Sequence, residues 1–143
     1  MARRSYLDIY IHLVWRTRYN RPILKGPLEQ FVHSRLREIA EDLDATPIAV
    51  NSAWNHVHGL FQWNASLSIA DVVREMKSRT AVEWNRRDSP NGPTLRWQAG
   101  YGAVATRRRY VTRVTEYIRN QKHHHRTNDL FDELERTQFP VAR

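Results

Sequence analysis

Leu7, Ile9, Ile11, Leu13 and Trp15 alternate with Tyr6, Asp8, Tyr10 and His12, the period of two that gives a strand one apolar and one more polar face. Pro22, Gly26 and Pro27 then break the pattern. Beyond them Leu28, Phe31, Val32, Leu36, Ile39 and Leu43 recur at the spacing of one helical face, up to Pro47. Residues 48–53 and 56–63 read as two short strands with a tight turn at Trp54 and Asn55, which predicts a hairpin. Ser68 followed by Asp71 resembles a capping box, and Ile69, Val72, Val73, Met76, Thr80 and Trp84 trace one face of a second helix. A loop with Pro90, Asn91, Gly92 and Pro93 follows, then a fourth strand over residues 101–106 entered through Gly100 and Gly102. Residues 110–124 turn helical again, and a short last helix is expected around Leu130, Phe131 and Leu134.

The order strand, helix, strand, strand, helix, strand, helices predicts an α+β fold of the ferredoxin-like, split βαβ kind. Its antiparallel sheet carries helices on one face and a C-terminal helical extension. No internal repeat, linker or low-complexity segment divides residues 1–143, so one domain is expected. The fold alone selects no function, because it hosts binding modules and enzymes alike.

Composition narrows the chemistry. A chain of 143 residues buries about two-thirds of its unfolded surface, enough for a core without staples. It has no cysteine, so disulfides and thiolate metal sites are excluded and any metal must sit on imidazole, carboxylate, amide or water. No apolar run approaches the roughly 20 residues that span a bilayer, and the N-terminus lacks the apolar core of a signal peptide, which points to a soluble cytoplasmic protein. The 23 Lys and Arg against 15 Asp and Glu give a formal charge of +8, which suits a polyanionic partner and equally suits a solvated basic surface.

His56 and His58 lie two apart in the third predicted strand, where side chains share a face and Cα atoms are roughly 6–7 Å apart. Two such imidazoles can converge on one cation, or can simply be polar residues on an exposed sheet. In the third long helix Tyr117 and Gln121 are four apart and project from one side, over an apolar stripe of Val111, Val114 and Ile118. Taken separately, each pair is unremarkable.

Taken together they resemble a known family, the single-tyrosine HUH transposases of the smallest bacterial insertion sequences, with the transposases associated with repetitive extragenic palindromes as close relatives. The resemblance runs through His12-Leu13-Val14-Trp15, Arg18-Tyr19-Asn20-Arg21-Pro22, Asn55-His56-Val57-His58, Trp97 with Gly100-Tyr101-Gly102, and Tyr117-Ile118-Arg119-Asn120-Gln121 followed by His124. Asn55 stands where an Asp often precedes the first His, and Gly59 where a bulky aliphatic is usual, which leaves less side chain for sheet packing behind the His pair.

The resemblance implies that His56, His58 and Gln121 hold one divalent cation, Mg²⁺ or Mn²⁺, and that Tyr117 is the nucleophile of a DNA transposase. The expected product is a 5′-phosphotyrosine with a free 3′-OH, on single-stranded or hairpin DNA. A homodimer is also implied. A phenol of pKa about 10 is mostly protonated at neutral pH and needs a cation or base nearby, which agrees with that assignment. Arg16, Arg18 and Arg21, and separately Arg107, Arg108 and Arg109, can grip phosphates or be solvated faces. Trp54 and Trp97 are candidate stacking platforms for unpaired bases. The tract His123-His124-His125 suits a helix C-terminus, where cations favour the dipole, and His124 is its first candidate for the metal or a phosphate.

The rival from another class is a transposase-derived protein that binds DNA or RNA structure without cutting; its mark would be loss of Tyr117, a metal-binding His or Gln121. A paired His-x-Thr phosphoesterase, and a replication initiator or relaxase with a Tyr-x-x-x-Tyr pair, lack their motifs in this sequence.

Overall fold

The apolar alternation and the two helical stripes build a sheet with two dissimilar faces. The computed structural model describes residues 6–87 and 92–138; Pro90 and Asn91 of the expected loop lie outside the described residues. The strands are β1 (Tyr10–Arg16), β2 (Thr46–Ser52), β3 (His56–Gln62) and β4 (Gly102–Thr106), and the helices are α1 (Gly26–Asp42), α2 (Ile69–Asn85), α3 (Val111–Arg119), α4 (Gln121–Thr127) and α5 (Asp132–Glu135). Sheet order is β2-β3-β1-β4 with every pair antiparallel, the split βαβ arrangement that the element order predicts.

Because side chains alternate across a strand, β1 sends Ile11, Leu13 and Trp15 to one face and β3 sends Val57 and Phe61 with them. There they bury against Leu28, Val32, Leu36 and Ile39 of α1 and Val72, Val73 and Met76 of α2. At the start of α2 the Ser68 side chain accepts a hydrogen bond from the Asp71 backbone N–H, as the capping pattern predicts. The opposite face is smaller: Tyr10, Ala49 and Leu60 pack against Val114, Tyr117 and Ile118 of α3 and Leu134 of α5. The C-terminal extension thus covers the face that α1 and α2 leave free.

Two local features differ from the sequence expectation. Residues 110–124 form no single helix, because the chain departs from helical geometry at Asn120 (φ −103°, ψ 27°) and restarts at Gln121. Asn51 of β2 stabilises that break, its side-chain N–H donating to the carbonyls of Ile118 (3.0 Å) and Arg119 (2.9 Å) that end α3. Nor does Gly59 leave a void: the buried ring of Phe61 lies where a Cβ would stand, so that residue packs the sheet instead. A comparable close approach occurs at Gly102, where a Cβ would meet the carbonyl of Arg136 and Val14 Cγ1. The segment after α5 can cross β4 there because the position has no side chain.

Candidate metal and nucleophile site

The polar residues of the smaller face gather into one cluster. β3 points His56 and His58 away from the main core, toward α3 and α5, and both are fully buried. Each ring has its Nδ1 occupied: His56 Nδ1 donates to Asn55 Oδ1 (2.7 Å), and His58 Nδ1 shares a hydrogen bond with His12 Nε2 (2.8 Å). This leaves both Nε2 atoms facing one space. Into it α4 brings His125, whose Nε2 is 3.0 Å from His56 Nε2, and α5 brings Glu135. One Glu135 carboxylate oxygen lies 3.1 Å from His56 Nε2, and the carboxylate reaches His58 Nε2 and His125 Nε2 at 3.1 Å each.

Tyr117 of α3 completes the arrangement. Its hydroxyl donates to Glu135 Oε1 (2.7 Å) and accepts from the Phe131 N–H (3.1 Å), while its ring stacks on both His124 (centroids 4.6 Å apart) and Phe131 (4.3 Å). Three residues therefore fix the phenol. Gln121, also buried, donates its amide N–H to the Tyr117 carbonyl (3.2 Å), and its Oε1 has no hydrogen-bond partner among the described residues.

Electrostatics follow from burial. Burial pushes the His56 imidazole down to about 4 despite Glu135, and lowers His58 and His12 too. These rings are neutral at physiological pH, the form that ligates a metal. Burial would raise Glu135, but the close approach of His56 and His58 holds its carboxyl well below the usual range. Burial first, and the bond to Glu135 second, push the Tyr117 phenol upward. In this setting the phenol stays protonated until something stabilises its anion.

His56, His58, His125 and Glu135 can hold a metal ion, with ligand atoms all within 4.8 Å of one another. The residues fit such a group on two observations. Outer hydrogen bonds to Asn55 and His12 orient the two strand imidazoles, as is usual around metal ligands, and the buried Gln121 Oε1 is an acceptor left unmet among the described residues.

With this geometry in place, comparison with known proteins decides the family. The family model described as "Transposase IS200 like" matches residues 5–121. The chain belongs to the IS200-like transposases. Two solved structures share the fold. One is a candidate transposase from Deinococcus radiodurans R1, 21% identical, TM-score 0.63, covering 85% of this chain and 97% of that one. The other is a REP-associated tyrosine transposase bound to a REP hairpin, 16% identical, TM-score 0.62, covering 87% of this chain and 73% of that one. No curated protein matches the chain.

Within this IS200-like chain the structure brings together His56, His58 and Tyr117, leaves Gln121 buried with its amide on the Tyr117 carbonyl, and adds His125 and Glu135, which the sequence alone does not assign to the metal. Among the three histidines of the tract, His125 reaches the donor cluster while His124 instead stacks on Tyr117 and lies 3.7 Å from Asp129. The other expected residues are scattered. Arg16, Arg18 and Arg21 cluster at the end of β1. Arg107, Arg108 and Arg109 are exposed before α3, where Arg108 is paired with Asp8 (3.0 Å) and Arg109 lies over the Tyr110 ring. Trp54, at the hairpin, and Trp97 are both half-buried, and Trp97 meets Trp15 edge-on (6.0 Å) and donates to Thr80 Oγ1 (3.0 Å). Glu135 carried no sequence signal beyond a short acidic run, and its role depends on the turn that follows α4. Among the described residues no helix is long and apolar enough to cross a membrane.

Proposed function

We propose that this transposase cuts and rejoins single-stranded DNA by transesterification at Tyr117, with a divalent cation held by His56 and His58 together with Gln121, His125 or Glu135. In the cutting step Tyr117 Oη forms a bond to phosphorus and the P–O3′ bond breaks. The phenol proton is given up and O3′ leaves as a hydroxyl, so a 5′-phosphotyrosine and a free 3′-OH result. Since one phosphodiester replaces another, a second 3′-OH can reverse the step and seal a new junction without ATP. The cation, when bound, polarises the scissile phosphate and offsets the charge developing on its oxygens.

The observation that carries the reading is the single carboxylate of Glu135, which accepts from the Tyr117 hydroxyl and touches all three imidazoles. Nucleophile and donor set therefore share one small space. Tyr117 is buried under Phe131 and His124, which shields the phenol from water and fixes its direction of approach. Three imidazoles in the set favour Mn²⁺ over Mg²⁺. The formal charge of +8, and the REP hairpin bound to a protein of similar fold, support single-stranded or hairpin DNA as the substrate. In this reading the protein acts in the cytoplasm, and as a homodimer, which sedimentation checks.

The test is to mix the protein with single-stranded DNA and Mn²⁺ and to look for an adduct that survives denaturation. Wild type forms it, a chelator prevents it, and Tyr117→Phe abolishes it while binding DNA as before. An adduct formed by Tyr117→Phe would assign the attack to another residue; no adduct with any strand would leave a protein that binds without cutting.

A further inference from the structure

Beyond the end of β1 lies a cavity of about 340 Å³ that the site above does not use, lined by Arg18, Tyr19, Arg21, Ile23, Thr94 and Arg96. No carboxylate lines it, and among the described residues none of its three arginines is paired with one. The turn beneath it is fastened at several points. Thr17 Oγ1 donates to the carbonyls of Arg21 (2.8 Å) and Asn55 (3.2 Å), Arg18 N–H donates to the Arg96 carbonyl (2.9 Å), and Gln98 N–H donates to the Arg16 carbonyl (2.8 Å). These bonds hold two successive residues in the left-handed region, Tyr19 at φ 60° and Asn20 at φ 53°.

Asn tolerates that region, but a bulky residue such as Tyr is strained there. No packing offsets the cost, because the Tyr19 side chain is 77% exposed. What the turn achieves is to present an aromatic face to solvent, with the Arg18 guanidinium 5.0 Å from the ring centroid and Arg21 and Arg96 on the same cavity wall. An open ring beside unpaired guanidiniums matches one ligand chemistry: a base stacked on the ring and its flanking phosphates on the arginines. Paired bases inside a duplex offer no free face to such a ring. The position is also right, since Arg16 pairs with His56 across the sheet, and Arg18 follows it by no more than about 7 Å of chain.

We infer that this cavity is a subsite for an unpaired nucleotide of the DNA strand, a few residues from the scissile phosphate, with Tyr19 as the stacking surface and Arg18, Arg21 and Arg96 as phosphate contacts. The inference rests on the proposed action on single-stranded DNA. Its test reads binding alone, by fluorescence anisotropy of labelled dT12 with the full chain in the absence of metal.

Tyr19→Ala weakens dT12 binding by about 5- to 100-fold, the range expected for one stacked base, whereas Tyr19→Phe binds as wild type. On a dT12 whose bases are replaced by abasic sugars, Tyr19→Ala and wild type coincide. Arg18→Ala, Arg21→Ala and Arg96→Ala each reduce the slope of log affinity against log salt by about 0.7, while Tyr19→Ala leaves it unchanged. Equal dT12 binding by Tyr19→Ala and wild type, unchanged slopes in all three arginine variants, or no dT12 binding by wild type overturns the subsite. The adduct assay separates the two readings. Adduct formation with insensitive pocket variants removes the subsite alone; sensitive pocket variants without any adduct keep the subsite and remove cleavage.

Discussion

His12 lies behind His58 rather than in the donor cluster, and it is the group that decides which nitrogen of His58 faces the site. Their 2.8 Å hydrogen bond engages His58 Nδ1 and leaves Nε2 for a cation. We expect His12→Ala to reduce Mn²⁺ affinity by about 10- to 100-fold by calorimetry, with far-UV circular dichroism unchanged. Unaltered affinity would show that the sheet alone orients His58. Gln121 makes a different prediction, because its Oε1 is buried without a partner. Gln121→Ala is expected to shift the Mn²⁺ concentration for half-maximal cleavage upward by about tenfold, with the rate recovering at high Mn²⁺; superimposable curves would make the amide a bystander. At this scale the sequence revealed what strand periodicity places on one side, namely His56 with His58; Tyr117 and Gln121 sit on separate helices, so their four-residue spacing does not by itself set their geometry. His125 was hidden because three successive histidines also suit a helix C-terminus, so the tract alone does not say which of them turns inward. Glu135 was hidden because Asp132, Glu133 and Glu135 look like any solvated acidic turn.

At the scale of elements, the four strands and two long helices were legible from periodicity and from the Ser68 cap, with boundaries shifted by a few residues. The break at Asn120 was not, since its cause is tertiary: Asn51 of a distant strand takes up the last carbonyls of α3. The path of the segment after α5 was equally illegible, because it depends on the close approach of the Arg136 carbonyl to Gly102. That contact gives a test of how the site is held. Gly102→Ala forces the backbone at Arg136 away from β4 and draws Glu135 with it. We expect lost Mn²⁺ affinity and a destabilisation of about 1–3 kcal/mol in urea unfolding. Normal stability with intact metal binding would mean that α5 is anchored by Phe131 and Leu134 alone.

For the molecule as a whole, the buried histidines couple folding to acidity. Burial lowers His33, on α1, to about 4, as it does His56. Above an unfolded pKa of about 6.5 both states carry neutral rings and the histidines contribute nothing to the pH dependence. As pH falls from there toward about 4, the unfolded chain takes up protons that the folded chain refuses, so stability declines across this window. Thermal unfolding followed by circular dichroism should give a Tm that drops steadily between those two pH values; a flat Tm would mean that these rings are protonated in the native state. The spacing of the donors along the chain has a further effect, on the order of events during synthesis. β4 ends at Thr106, whereas His125 and Glu135 come later. A nascent chain released up to Thr106 carries the four strands and both long helices, yet of the donor set it has only His56 and His58, and it lacks Tyr117. In the proposed reading, cleavage therefore waits on the stretch that carries Tyr117, His125 and Glu135, all of it translated after the sheet is complete.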